Sequence, residues 1–255
     1  MADINADFPH KETVYQRWNI HHRIAHFGIY APFILVAATG LPIKFHHKAW
    51  AQAFASFFGG GDGLLQWHLF GGVLIFITCF YHLGYSALYA IKHRHNLEMP
   101  VWLMSKGTWT ALKQYFRYQL GFSDELPKFG RYQWKEMVDY WAVFWGMVMI
   151  GGSGLLMWFP EFSMKYFPKW FLDAYRWGHS DEAVLAVMVI FTWHFYNVHF
   201  QPDFFPMSWT WWNGKMPLEV MEHEHGLELE MIRDKQAQSG KGTTVTPTKG
   251  FPSSG

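Results

Sequence analysis

Four histidines stand in two matched pairs along this chain. His68 and His82 are 14 residues apart, and His179 and His194 are 15 apart. A glycine in matching context precedes each pair: Gly40 in "ATGLPIKF" lies 28 residues before His68, and Gly154 in "GSGLLMWF" lies 25 before His179. At about 100° per residue, a helix returns a side chain to within roughly 40° of its starting face after 14 steps and roughly 60° after 15, with a rise of about 21 to 22 Å. Each segment therefore presents two imidazoles on one broad face, one near each end. Neutral imidazole is a good axial ligand for haem iron, and two such helices facing each other would hold two haems stacked along their length. The only cysteine is Cys79, and no Cys-x-x-Cys-His is present, so covalent c-type attachment and thiolate-held iron–sulfur clusters are excluded within this chain. A zinc-protease His-Glu-x-x-His is absent as well. Any haem here is of the b type.

The elements that must position these residues read as membrane spans. Aromatics make up 20% of the 255 residues and charged residues only 16%, which is low for a soluble domain. Four runs, at residues 24–43, 64–91, 140–160 and 183–202, carry no Lys, Arg, Asp or Glu, and each is long enough to cross a hydrocarbon core of about 30 Å. They predict spans over about 22–45, 64–92, 137–160 and 179–202. The expected fold is all-α, an integral membrane four-helix bundle with bound b haems, in which spans one and two resemble spans three and four as repeated hairpins. The start, "MADINADFPHKETVYQRW", lacks the apolar core of a signal peptide.

Between spans two and three stand eight basic residues, from Lys92 and Arg94 to Arg131 and Lys135, whereas the first loop holds only Lys44 and Lys48. The positive-inside rule then places the N-terminus, the central loop and the C-terminus in the cytoplasm, and the loops at 44–63 and 160–178 outside the inner membrane. Lys165, Lys169 and Arg176 in the last loop run against that bias. In the central loop, "WTALKQYFRYQLGF" interleaves Trp109, Leu112, Tyr115, Phe116 and Leu120 with Lys113 and Arg117, the pattern of an interfacial amphipathic helix. Residues 1–213 thus form the membrane domain, and 214–255 read as a polar cytoplasmic tail whose last fifteen or so residues have too little apolar surface to fold. His223 and His225 in "MEHEHGLELEMIRDKQ" read as a solvated face rather than a metal site.

Several of these motifs, in this order, resemble the membrane cytochrome b subunits of respiratory formate dehydrogenases and nickel-iron hydrogenases: "HRIAH", "TGLPIKF", "LLQWHLFGG", "SGLLMWFP" and "WHFYNVHF". The resemblance covers most of residues 17–215 and implies four helices and two b haems, passing electrons between an extracytoplasmic redox partner and the quinone pool. It implies an outer haem held by His68 and His179, and an inner one held by His26 and His194. The repeat offers His82 in place of His26, and both lie at similar depth. With His199 the spans contain six histidines, enough for three bis-imidazole haems, although two is the expected number. His82 would otherwise bond a haem propionate or lie near a quinone. "KFGRYQWKEM" resembles the segment near the quinone in formate dehydrogenases, which makes Tyr132 and Gln133 candidate quinone or menaquinone contacts; an interfacial anchor is the other reading of so short a patch.

His194 and His199 are separated by about 140° around a helix and about 7.5 Å along it, so they cannot serve one haem face. His194 keeps register with His179. His199, near Gln201 and Asp203, reads as a propionate or quinone contact or as half of a third site. The chain is expected to act as an electron-transfer subunit and not as a complete enzyme. Its partner would be an iron–sulfur or multihaem cytochrome subunit, with lipid and quinone as the other partners and no nucleic acid. The alternative is a transporter or proton channel using buried histidines as a relay.

Overall fold

The computed structural model of the chain describes residues 14–92, 106–202 and 204–238. In chain order it comprises β1 (Val14–Gln16), α1 (Ile20–Lys44), α2 (Ala49–Phe57), α3 (Gly61–Lys92), α4 (Lys106–Gln119) and α5 (Trp134–Trp158). There follow α6 (Pro160–Tyr166), α7 (Lys169–Phe200), α8 (Thr210–Asn213), β2 (Lys215–Pro217), α9 (Leu218–Glu224) and α10 (Gly226–Gln238). Helices α1, α3, α5 and α7 are long and apolar enough to cross a membrane, and at most 11% of any of their apolar windows is buried within the chain. Their side chains must therefore be covered by lipid, which makes this an all-α integral membrane bundle. Arg94, Asp203, the polar first residues and the tail beyond 238 lie outside the described residues.

The fourth span is longer than the apolar run that marks it. Its helix begins at Lys169, ten residues before the expected span, and the helix of the third begins at Trp134. Lys169, Asp173, Arg176, Asp181 and Glu182 interrupt the hydropathy but not the helix, and four of them find partners: Lys169 Nζ lies 2.6 Å from Asp173 Oδ2 one turn on, Lys44 Nζ lies 2.5 Å from Asp181 Oδ1, and Trp145 Nε1 donates to Glu182 at 3.1 Å. At about 1.5 Å per residue, the 32 residues of α7 extend well beyond a core of about 30 Å.

The chain divides into two compact units, one built from His21–Lys92 and Ala142–Asn197, the other from Met1–Ile20, His93–Trp141 and Val198–Gly255. In the first, helices approach through small residues, as membrane packing requires. Pro32 inside α1 has no N–H for the carbonyl of Gly28. Thr78 on α3 offers a substitute, its hydroxyl lying 2.9 Å from Gly28 O and 2.9 Å from its own Leu74 O, so that one hydrogen is shared between them. A Cβ on Gly28 would stand 2.6 Å from that Thr78 oxygen, and one on Gly71 of α3 would stand 2.7 Å from Val36. Gly151 packs similarly against Phe76, joining α5 to α3, and Lys44 Nζ reaches Asp181 at 2.5 Å, joining α1 to α7. One turn of α5 (Met147–Gly151) and two of α7 (Ile190–His194 and Tyr196–Phe200) are wound wide.

The second unit gathers three separate stretches of chain. β1 pairs antiparallel with β2, Tyr15 opposite Met216, over a small core of Met216, Val220, Met221 and Leu229. Gly214 turns with φ of +77°, and its carbonyl accepts from the amides of Arg17 and Trp18. Residues 215–238, expected as polar tail, are folded here; Leu218 and Ile232 pack against this core as well, while Leu227 and Met231 stay exposed. Beside it lies a buried ion cluster. Glu228, with 3% of its side chain exposed, receives Arg17 Nη1 on one oxygen and Arg131 Nη1 on the other, each at 2.7 Å. Arg17 Nη2 also donates to the Arg131 carbonyl. The N-terminal strand, the central loop and the C-terminal segment therefore share one side, whichever side that is. Removing one member of a buried pair costs about 3–5 kcal/mol. Arg17→Ala should accordingly expose residues 215–238 to protease at concentrations the parent protein resists, read by mass spectrometry of the first cleavage products.

Candidate haem-binding site

His68 on α3 and His179 on α7 meet inside the bundle, their ring centroids 6.2 Å apart and their planes inclined at 74°. The Nδ1 of His68 lies 3.1 Å from the Val36 carbonyl and 3.1 Å from Thr39 Oγ1, both on α1. The Nδ1 of His179 lies 2.9 Å from the Ile150 carbonyl and 3.1 Å from Ser153 Oγ, both on α5. A carbonyl can only accept, so each Nδ1 carries the proton. Each Nε2 is then left with its lone pair, the form an imidazole needs to bind a metal.

The separation of the ring centres, 6.2 Å, suits an ion held by both. Bonds of about 2.0–2.1 Å from each Nε2 to a shared ion would set the two ring centres roughly 6 Å apart, as observed. The backbone is cut back where the rings lie: a Cβ on Gly40 would stand 2.9 Å from His68 Cε1, and one on Gly154 would stand 3.2 Å from His179 Cε1. The glycines matched in sequence are thus matched in space. The hydroxyls beside them were missed, although "TGL" and "SGL" carry the signal: a hydroxyl residue, buried at 0% and 2% exposure, immediately before each glycine. A bound b haem supplies one-electron chemistry; His68 and His179 would hold its iron and orient it.

The other candidates stand elsewhere. His82, half-buried, lies 14 residues beyond His68 on α3. His194 ends the wide turn Ile190–His194. A wide turn takes about one residue more than an α turn, and this one absorbs the extra residue that separates His179–His194 from His68–His82. His26 sits on α1 with its ring 5.5 Å from Tyr30. His199 lies in the second wide turn of α7. At the same end of α1 as His26, and unanticipated, His21 Nδ1 meets the Tyr81 hydroxyl at 2.6 Å and its ring stacks on Tyr85 at 4.3 Å.

In the second unit, the Tyr132 ring lies 5.8 Å from the Arg17 guanidinium and 5.7 Å from that of Arg131. Gln133 is buried; its Nε2 donates to the Glu224 carbonyl at 2.9 Å, and its amide donates to Glu136 at 2.9 Å. His223 is exposed, as expected of a solvated face, but His225 is not: it is 1% exposed, with Nδ1 3.0 Å from the Gly130 carbonyl. Burial pushes its imidazole below the ordinary range and Arg17 pushes it further, while Glu136, Glu228 and the Gly130 bond pull it back. Burial pushes the Glu224 carboxyl up, with Glu136 adding and Lys135, His223 and Gln201 opposing.

Four lipid-facing helices around a facing pair of metal-ready imidazoles define a membrane cytochrome of the b type. Residues 17–210 match the family described as prokaryotic cytochrome b561, and the chain belongs to that family. No curated protein matches it. It is therefore a multi-pass membrane protein that binds b haem and transfers electrons.

Overpacking costs about 1–3 kcal/mol, roughly 5- to 150-fold in affinity. Gly40→Ala should weaken haem retention within that range and more than Gly154→Ala does, measured as haem per chain after detergent washing. The second expectation concerns pH. Because the folded His225 holds its proton less tightly than the unfolded one, folding stability falls as pH drops below about 6.5 and through the depressed folded value. The raised Glu224 works in the opposite direction as its own proton binds. Protease resistance of residues 215–238 should thus be lower at pH 5.5 than at 7.5, and His225→Asn should reduce that difference.

Proposed function

We propose that the chain is the membrane cytochrome b subunit of a respiratory redox complex, carrying electrons between an extracytoplasmic redox partner and the quinone pool through two b haems. The observation that carries this reading is the His68–His179 pair, 6.2 Å apart with both Nδ1 atoms tied back to backbone carbonyls. It forms the outer haem site. The inner haem takes His194 and His26, with His82 and His199 as the alternatives or as a third pair. The partner, an iron–sulfur or multihaem subunit, docks on the loops that contain α2 and α6, where Trp50, Phe57, Phe162 and Tyr166 are exposed. The N-terminus, central loop and C-terminus are cytoplasmic on the basic-residue count. Quinone exchanges electrons at that side, with Tyr132 the candidate contact and Gln133 holding its segment through Glu224.

A proton relay through these histidines is the weaker reading. The acceptors of both Nδ1 protons are helix carbonyls and hydroxyls whose own hydrogens are committed within α1 and α5, a dead end for proton transfer. The test is visible spectroscopy of the purified protein with a pyridine haemochrome assay. A reduced b-type band and two haems per chain are expected, His68→Ala and His179→Ala losing the same haem and His194→Ala the other. Full haem content in both His68→Ala and His179→Ala would overturn the assignment, and a ratio of three would bring His82 and His199 in as ligands.

A further inference from the structure

The two imidazoles are held by the same device, built twice. In α1, the Thr39 hydroxyl donates to the Leu35 carbonyl at 2.7 Å. In α5, the Ser153 hydroxyl donates to the Met149 carbonyl, one turn back in the same way. With its hydrogen so committed, each hydroxyl oxygen faces an imidazole N–H at 3.1 Å as an acceptor. The second acceptor for each N–H is the carbonyl three residues before the hydroxyl, Val36 O or Ile150 O. In a helix that carbonyl also serves a backbone amide, and the hydroxyl adds a second, side-chain acceptor to the same imidazole N–H. Both oxygens lie where water does not compete, Thr39 being 0% and Ser153 2% exposed. The glycine that follows each hydroxyl lets the ring come this close.

We infer that Thr39 and Ser153 are positioning residues that set the basicity of the His68 and His179 ligands, and through it the reduction potential of the haem between them. The inference rests on the ligation proposed above. An acceptor on the non-ligating nitrogen fixes the tautomer and ring orientation and makes the ligating nitrogen a stronger donor. A stronger donor favours ferric over ferrous iron, so the paired hydroxyls hold this haem's potential down. Thr39 on α1 faces His68 and Ser153 on α5 faces His179, so each proposed ligand would have its own hydroxyl.

The test is redox titration of the purified holoprotein, followed by the reduced visible band, in Thr39→Val, Ser153→Ala and the double variant. Valine keeps the shape of threonine and removes the acceptor. Haem content near that of the parent protein is expected, with the midpoint potential of one haem rising in each single variant and rising further in the double, and the other haem unmoved. Thr39→Ser, which keeps the oxygen, should titrate as the parent does. An unshifted potential in the double variant would overturn the inference. So would equal displacement by Thr39→Ser and Thr39→Val. If Thr39→Val sheds its haem, retention by Thr39→Ser supports the positioning role and loss by both overturns it. The ligation itself fails separately, through His68→Ala that keeps all its haem.

Discussion

In a hydrocarbon layer a polar atom must find its partner inside the protein, and the hydrogen bonds of His68 and His179 show how far that constraint shapes this bundle. Each N–H demands an acceptor, each acceptor must come from a neighbouring helix, and that helix must then come close. The closeness is what selects Gly40 and Gly154, because a Cβ at either position would press on the ring. The same logic places Thr78 against Gly28. Pro32 leaves a carbonyl without its amide, a hydroxyl from α3 supplies the missing donor, and the hydroxyl needs a glycine to reach it. Bundle geometry follows from a few satisfied polar atoms, since apolar side chains in lipid give little reason for one packing over another.

What was legible in the sequence was the part that repeats or runs long. Four uncharged stretches identified four spans, and two Gly–His intervals identified the hairpin repeat that places His68 opposite His179. The register of His194 was harder, because a constant angle per residue does not anticipate the wide turn at Ile190–His194. The full length of α7 was not legible either: the loss of hydropathy marks a limit to the span, while the helix itself continues through charged residues that find partners, Lys169 with Asp173 and Glu182 with Trp145. Least legible was the second unit. Nothing local in "MEHEHGLELEMIRDKQ" says that His225 and Glu228 are buried, since their partners Gly130, Arg131 and Arg17 come from segments up to 211 residues away.

That second unit also constrains topology by contact. Arg17 from the N-terminal stretch, Arg131 from the central loop and Glu228 from the C-terminal segment share hydrogen bonds, which is possible only if an even number of spans separates each from the next. Two spans intervene in each case. The basic-residue asymmetry then has only to choose the side. A guanidinium pair on one buried carboxylate is costly to desolvate and weak evidence for stability in itself, so its use here is better understood as register: it admits one arrangement of three distant segments and penalises others.

The division of labour at the haem site follows from the same accounting. The redox chemistry belongs to the cofactor, and a protein can adjust it only through ligand, hydrogen bonding, burial and charge. The ligands proposed here are symmetric, imidazole on both sides, and so is the hydrogen bonding of His68 and His179, a carbonyl and a hydroxyl on each. What differs between the two hairpins is charge. Lys44 follows Gly40 by one helical turn and is bound to Ser180 and Asp181 beside His179, whereas Trp158, the residue at the corresponding place after Gly154, carries none. The repeat therefore presents two imidazoles in equivalent settings, and the difference between its halves places a Lys44–Asp181 ion pair beside His179 alone.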